Sequence, residues 1–135
     1  MRPGITANNR SEFYTEERCY ITEISNHADD PHVSIARCRV TAGTTTQLHY
    51  LTVSERYLIE SGSGIVELDG QVGDHVRPGD CVKIPAGCSQ RIANPGTNDL
   101  IFLCVCSPRF TSDCYQDIEG PEVRPIELGS PPASP

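Results

Sequence analysis

Residues 43–62 read GTTTQLHYLTVSERYLIESG, and residues 79–94 read GDCVKIPAGCSQRIAN. Each run begins with a glycine and contains segments in which side chains of different character alternate. A period of two places His49 and Leu51 on one face of a strand, and Glu55 and Tyr57 on one face of the next. The two runs therefore predict β-strands that present a small set of polar side chains together.

The rest of the chain extends this β pattern. Short β-rich segments are predicted at 18–24, 33–40, 46–52, 56–60, 64–68, 81–84, 89–93 and 100–106. Turn signals separate them, such as Asp69-Gly70 in an extra hairpin between residues 65 and 78. No segment has a helical period. An all-β sandwich or barrel follows from the spacing alone.

A length of 135 residues suits one domain with one core. Residues 1–17 are predicted to form an N-terminal arm and residues 18–108 the barrel. Residues 109–135 are predicted to form a C-terminal extension that ends in a proline-rich tail. We expect both flanking segments to be loose or to pack only at the periphery.

The charge balance excludes several classes of partner. The chain has 18 Asp and Glu against 11 Lys and Arg, for a formal charge of -7, without a basic cluster. Such a surface is a poor partner for nucleic acids and anionic membranes. The chain begins without the apolar core of a signal peptide, and no stretch reaches the ~20 apolar residues of a membrane span. We expect a cytoplasmic protein that acts on a small molecule.

Seven cysteines are an odd number, so they cannot all pair within one chain. None of them forms a C-x2-C pair. We expect reduced cysteines that act as small buried hydrophobic residues rather than as a zinc site.

The two quoted runs resemble the paired signature of the cupin superfamily, G-x5-H-x-H-x3,4-E-x6-G followed by G-x5-P-x-G-x2-H-x3-N. The glycines, the proline, the first histidine, the glutamate and the asparagine are all in register. Leu51 and Gln90 stand where the family usually has its other histidines. The resemblance covers about residues 18–108. It implies a single-domain, all-β cupin barrel, which is also called a double-stranded β-helix or jelly roll.

The usual cupin site holds a metal with three histidines and one glutamate. The resemblance therefore implies a metal site at His49, Glu55 and Gln90, with the Gln90 amide oxygen in place of a histidine. Imidazole and carboxylate donors suit a divalent transition metal such as Fe, Mn, Ni or Zn. Because Leu51 offers no donor, we expect a weaker and more open site than usual.

Similarity to single-domain cupins implies two kinds of reaction, namely isomerisation of sugars or sugar phosphates by proton transfer and oxidation by dioxygen on non-haem iron. A dioxygenase normally uses two histidines and a carboxylate, and this chain departs from that set. We therefore favour a metal-dependent isomerase or lyase over a dioxygenase. Glu55 is the predicted catalytic acid or base, and Tyr57 the predicted proton donor.

A metal-free barrel is the alternative. His49, Glu55 and Gln90 would then form a hydrogen-bonded cluster, and the protein would be a non-catalytic binder of a sugar or another metabolite. Strand parity directs Arg56 and Arg91 away from Glu55, so its buried carboxyl group would be partly protonated. Under either alternative, the resemblance implies a homodimer formed through edge strands.

Overall fold

Two antiparallel β-sheets form the part of the chain described by the computed structural model, residues 1–6 and 11–127. The strands are β1 Phe13–Tyr14, β2 Tyr20–Ser25, β3 Ser34–Val40, β4 His49–Leu51, β5 Ser54–Ser61, β6 Gly64–Leu68, β7 Gln71–Val76, β8 Cys81–Ile84, β9 Gln90–Ala93, β10 Leu100–Ser107 and β11 Tyr115–Asp117. The first sheet has the order β1-β2-β3-β10-β5-β8, and the second has the order β11-β4-β9-β6-β7. The end of the predicted proline-rich tail lies outside the described residues.

The eight predicted strands are confirmed as β2–β6 and β8–β10, with ends that differ from the prediction by at most three residues. The extra hairpin is also confirmed, since β6 and β7 pair across Asp69 and Gly70. These two residues have positive φ values of 50° and 77°, as the tight turn of a hairpin requires. Apart from a 3₁₀ turn at Ser112–Cys114, the described residues contain no helix, and none therefore that could span a membrane.

Strand β5 shows how the sequence positions the site. Glu55, Tyr57 and Ile59 are buried, whereas Arg56 and Leu58 between them are exposed. β5 lies between β10 and β8, so its inward side chains have neighbours on both sides. The alternation predicted from the sequence is confirmed, and it fixes Glu55 on the inner face of the barrel.

The core lies between the sheets, with Phe102 among its largest fully buried side chains. Phe102 packs against Tyr57 with ring centroids 4.5 Å apart. Ile92 and Val66 contribute to the same cluster from the opposite sheet. Burial of one such large apolar side chain stabilises the fold by about 1.5–3 kcal/mol. The polar residues of the inner face lie next to this cluster.

Asn94, the last residue of the second motif run, has a structural role. Its side chain is fully buried and donates hydrogen bonds to the carbonyl groups of Val40, at 2.9 Å, and Asn98, at 2.8 Å. Its amide oxygen accepts a hydrogen bond from the backbone of Gly96 at 2.9 Å. Asn94 therefore joins β3 to the turn after β9, which explains why the motif needs an amide at this position.

Parts of both flanking segments belong to the sheets, contrary to the prediction that these segments are loose or only peripheral. In the N-terminal arm, β1 pairs with β2. In the C-terminal extension, β11 pairs with β4, and Ile126 is buried against Ile65. Strands of two and three residues carry too little alternation to be recognised in a sequence, which is why these contributions were not predicted.

Candidate functional site

A cavity of about 170 Å³ lies between the sheets, next to the core. Its polar lining includes Glu17, which precedes β2, His49 on β4, Glu55 and Tyr57 on β5, and Tyr115 on β11. The remaining wall is largely apolar. This arrangement is that of a site for a small molecule, in which a few polar groups orient the ligand.

Glu55 is the central polar group of the cavity. Its side chain is buried with 7% of the residue exposed, and its Oε1 has no hydrogen-bond partner. The other oxygen, Oε2, lies 3.6 Å from the thiol sulfur of Cys106. Burial raises the pKa of Glu55 to about 7, with a small further contribution from the charge of Glu17. Glu55 can therefore take up or release a proton near neutral pH.

Gln90 and Tyr57 form a hydrogen-bonded pair next to Glu55. The Tyr57 hydroxyl donates to Oε1 of Gln90, and both side chains are buried. The Gln90 nitrogen has no partner in hydrogen-bonding geometry, yet the amide is near enough to Glu55 to lower its pKa and oppose the effect of burial. Burial raises the pKa of Tyr57 well above its usual range, so its hydroxyl stays protonated.

His49 stands opposite Gln90 on the adjacent strand β9. Its Nδ1 lies 2.7 Å from the carbonyl oxygen of Gln47 and must donate to it, which leaves Nε2 as the acceptor nitrogen. The ring stacks on Tyr115 with centroids 4.5 Å apart. Burial lowers the pKa of His49, so the imidazole is neutral at pH 7.

The donor set does not fit the predicted metal site. A Gln90 ligand would bind through Oε1, which accepts the hydrogen of Tyr57 with one of its two lone pairs and is a neutral, weak donor. Leu51, at the position of the second motif histidine, is buried in the cavity wall and has no donor. Within residues 1–6 and 11–127, no group of three or more His, Cys, Asp or Glu side chains is arranged to hold a metal. His49 and Glu55 are the strong donors of the predicted set, and two are fewer than a resident transition metal usually has.

The outward arginines are placed as predicted. Arg91 forms a tight ion pair with Glu67 on the neighbouring strand and also donates to the backbone carbonyl of Arg124. Arg56 is exposed on the outer face of β5. Neither cation neutralises Glu55, which leaves burial as the main influence on that carboxyl group.

All seven cysteines are free thiols in this structure, and Cys81 is exposed, contrary to the prediction that the cysteines are buried. Three of them, Cys38, Cys104 and Cys106, line the cavity. A contact with Cys38 lowers the pKa of Cys104, but burial and nearby carboxylates outweigh it and raise the value to about 11. Burial likewise raises the pKa of Cys106. These thiols are protonated at neutral pH and form part of the apolar wall.

Two polar residues of the cavity were not predicted. Glu17 comes from the N-terminal arm and Tyr115 from the C-terminal extension, and both lie outside the motif runs. The Tyr115 hydroxyl donates to Oε1 of Gln47 at 2.6 Å. Their only sequence signal was a charged or phenolic residue beside a short β segment, which is too common to identify a site.

Comparisons with known proteins agree on the fold. The family model "Cupin domain" matches residues 36–106. The structure of Pac13, described as "a unique nucleoside dehydratase", superimposes with a TM-score of 0.70 at 17% identity, covering 98% of this chain and 100% of that chain. KdgF from Halomonas sp. superimposes with a TM-score of 0.69 at 15% identity, covering 84% of this chain and 98% of that one.

A larger protein contains the same fold as one part. Oxalate decarboxylase from Bacillus subtilis superimposes with a TM-score of 0.70 at 19% identity, covering 82% of this chain. This chain spans only 30% of the decarboxylase. A comparison with curated proteins gave no match to this sequence. At these identities the structural likeness establishes the fold alone, and it confirms the predicted all-β jelly-roll barrel.

Proposed function

This chain belongs to the cupin domain family, and we propose that it is an enzyme of the isomerase or lyase type that transfers a proton on a small polar molecule bound in the barrel. The observation that carries the proposal is the state of Glu55. A carboxyl group with a pKa of about 7 and an oxygen without a partner, in the wall of a cavity, has the properties of a general acid or base.

Glu55 is proposed to remove a proton from a carbon next to a carbonyl group of the substrate. The C–H bond breaks, its electron pair moves toward the carbonyl, and the proton goes to the carboxylate. Return of the proton at the former carbonyl carbon, with transfer of the hydroxyl proton of the first carbon to the former carbonyl oxygen, gives an isomerase. Departure of a hydroxyl group from the next carbon as water, with its proton supplied by the Glu55 carboxyl group, gives a lyase. Both outcomes balance without an oxidant or a reductant.

The neighbours of Glu55 supply orientation. The neutral His49 offers Nε2 as an acceptor for a substrate hydroxyl group, since Nδ1 is held by Gln47. Gln90 directs its amide toward Glu55 because its oxygen is held by Tyr57. We therefore assign Tyr57 a positioning role, because its hydroxyl hydrogen is donated to Gln90. Proton donation from Tyr57 to the substrate, which the sequence predicted, is the weaker assignment.

Pac13 supports this class of reaction as an analogy. It aligns with this chain over the full length of both, and dehydration of a nucleoside is a lyase reaction. The likeness shows that a barrel of this size accommodates such chemistry. The charges of the cavity bear on which class of substrate this chain binds.

A metal-dependent enzyme, as predicted from the family resemblance, stays a prediction. Its ligands would be His49 and Glu55, with the Gln90 oxygen, which also accepts from Tyr57, as a weak third donor. The proposed proton transfer uses groups of the chain itself and requires no metal step.

The test is solvent-deuterium exchange followed by proton NMR. The full chain is incubated in D₂O with aldoses and ketoses of three to six carbons, and loss of signal at carbons next to the carbonyl is recorded together with any new product. We expect exchange with at least one compound, and a loss of about 100-fold or more in Glu55→Gln. Glu60→Gln is the matched control, because Glu60 lies on the same strand but is exposed. Exchange that persists in Glu55→Gln would refute the role of Glu55, and binding without exchange would favour the non-catalytic binding barrel.

A further inference from the structure

The N-terminal arm brings a second carboxyl group to the cavity. Glu17 lies in a tight turn, in which the backbone N–H of Arg18 donates to the carbonyl of Thr15 at 3.1 Å and that of Glu17 to the Thr15 hydroxyl at 3.2 Å. The carbonyl of Glu17 accepts the backbone N–H of Gln47 at 3.1 Å, which fixes the arm beside the start of β4. Glu17 therefore has a defined place in the fold, and its side chain lines the cavity.

Arg18 turns away from the cavity at this point. It has a positive φ of 67°, a conformation that non-glycine residues seldom adopt. Its guanidinium group donates to both carboxylate oxygens of Glu119, at 2.9 and 2.8 Å, and to the carbonyl of Thr45 at 2.9 Å. The nearest cation in sequence is thus engaged outside the cavity. Among the described residues, the Glu17 carboxyl group has no positive partner, and burial raises its pKa to about 7.

The lining of the cavity has a one-sided charge. The described residues that line it include the acidic Glu17 and Glu55, and none of them is lysine or arginine. His49 adds no positive charge, because burial lowers its pKa. Arg109 donates to the side chain of Asn26 at 2.8 Å and is not among the residues that line the cavity.

A second feature marks this as a binding site rather than an incidental acidic patch. The Oε1 atom of Glu55 has no hydrogen-bond partner among the described residues, and Glu55 lines the cavity with only 7% of the residue exposed. A buried polar atom without a partner costs about 1–3 kcal/mol, which a ligand with a matching group would recover. This oxygen would serve a ligand that donates a hydrogen bond, as a hydroxyl group does.

We propose that Glu17 is a second carboxyl group of this binding site and that it acts with Glu55 to select an uncharged, hydroxyl-bearing ligand over its phosphorylated or carboxylated counterpart. Above pH 7, where both carboxyl groups are ionised, a phosphate or carboxylate would meet Glu17 and Glu55 with no lysine or arginine among the described lining residues. The repulsion is strong in a partly desolvated cavity. This inference rests on the proposed function for its site and adds the charge class of the substrate.

The cavity cysteines allow a test that needs no known substrate. The full chain is treated with two methanethiosulfonate reagents of similar size, one with an uncharged hydroxyethyl group and one with an anionic sulfonatoethyl group. Peptide mass spectrometry then gives the rate of modification at Cys104, in the cavity lining, and at Cys81, which is exposed. The preference for the uncharged reagent at Cys81 corrects for the net negative charge of the whole protein.

We expect the preference for the uncharged reagent to be roughly tenfold or more higher at Cys104 than at Cys81. Glu17→Gln should reduce this excess severalfold, Glu55→Gln should do the same, and the exposed control Glu60→Gln should leave it unchanged. The inference would be overturned by equal preferences at the two cysteines, by an excess that both cavity variants preserve, or by failure of the uncharged reagent to reach Cys104. Because turnover plays no part, these outcomes are distinct from failure of the proposed function.

Discussion

The hydroxyl group of Tyr57 donates its hydrogen to the amide oxygen of Gln90, and this bond sets which end of Gln90 faces Glu55. Removal of the hydroxyl in Tyr57→Phe leaves the Gln90 oxygen free to rotate toward the carboxyl group. We expect the pKa of Glu55 to rise, because an amide oxygen disfavours the carboxylate, and deuterium exchange to slow by about tenfold. If Tyr57 had only a packing role, Tyr57→Phe would leave the pH dependence of deuterium exchange unchanged. Tyr50→Phe is the matched control, since Tyr50 lies on β4 and faces away from the cavity.

Glu55 makes the fold less stable at high pH. Its folded-state pKa is about 7, above its ordinary value of 4.5, so the folded state binds more protons than the unfolded state between these values. Stability therefore falls as the pH rises from about 4.5 to 7 and the full cost is present above 7. Glu55→Gln, which cannot ionise, should be more stable than wild type by roughly 2–3 kcal/mol at pH 8 and nearly equal at pH 4.5. Urea unfolding at both pH values measures this difference, and a destabilised variant at pH 8 would contradict it.

The metal content separates the proposed proton transfer from the metal-dependent enzyme predicted from the family resemblance. With His49 and Glu55 as the remaining donors, we expect well under one equivalent of Fe, Mn, Ni or Zn by elemental mass spectrometry of untagged protein purified without chelators. The double variant His49→Ala, Glu55→Ala is the reference. A full equivalent that disappears in this variant would restore the metal site.

The homodimer predicted from the resemblance remains a proposal, for which β1 offers a surface. β1 is an edge strand of the first sheet, and its residues Phe13 and Tyr14 are 50% and 60% exposed. Two such edges can pair and cover these rings. We expect the mass of a dimer in light scattering, and a monomer for Phe13→Glu. Val72→Glu is the control, since Val72 is 56% exposed on β7 of the other sheet. A monomeric wild type would end this proposal.

The sequence was most informative where side chains alternate along longer strands. The parity that buries Glu55 and exposes Arg56 could be read directly, because β5 has eight residues with neighbours on both sides. The motif resemblance placed His49 and Gln90 in the barrel, and the structure pairs them on the adjacent strands β4 and β9. In these places local pattern and tertiary structure agree.

The sequence was least informative where single contacts decide the chemistry. That the Gln90 oxygen accepts the hydrogen of Tyr57 depends on the meeting of β5 and β9 in space. That Arg18 does not neutralise the carboxyl group of Glu17 depends on the ion pair of Arg18 with Glu119, a residue 101 positions later in the chain. Neither relationship has a local pattern, so neither could be predicted.

The pKa of Glu55 is the most direct test of the central claim, that this carboxyl group is set for proton transfer in the cavity. Carbon-13 NMR of glutamate labelled at the carboxyl position can follow it through a pH titration, with Glu55→Gln to assign the signal. The account predicts a midpoint of about 7 for Glu55. A midpoint near the ordinary value of 4.5 would show that the carboxyl group is solvated and would contradict the account.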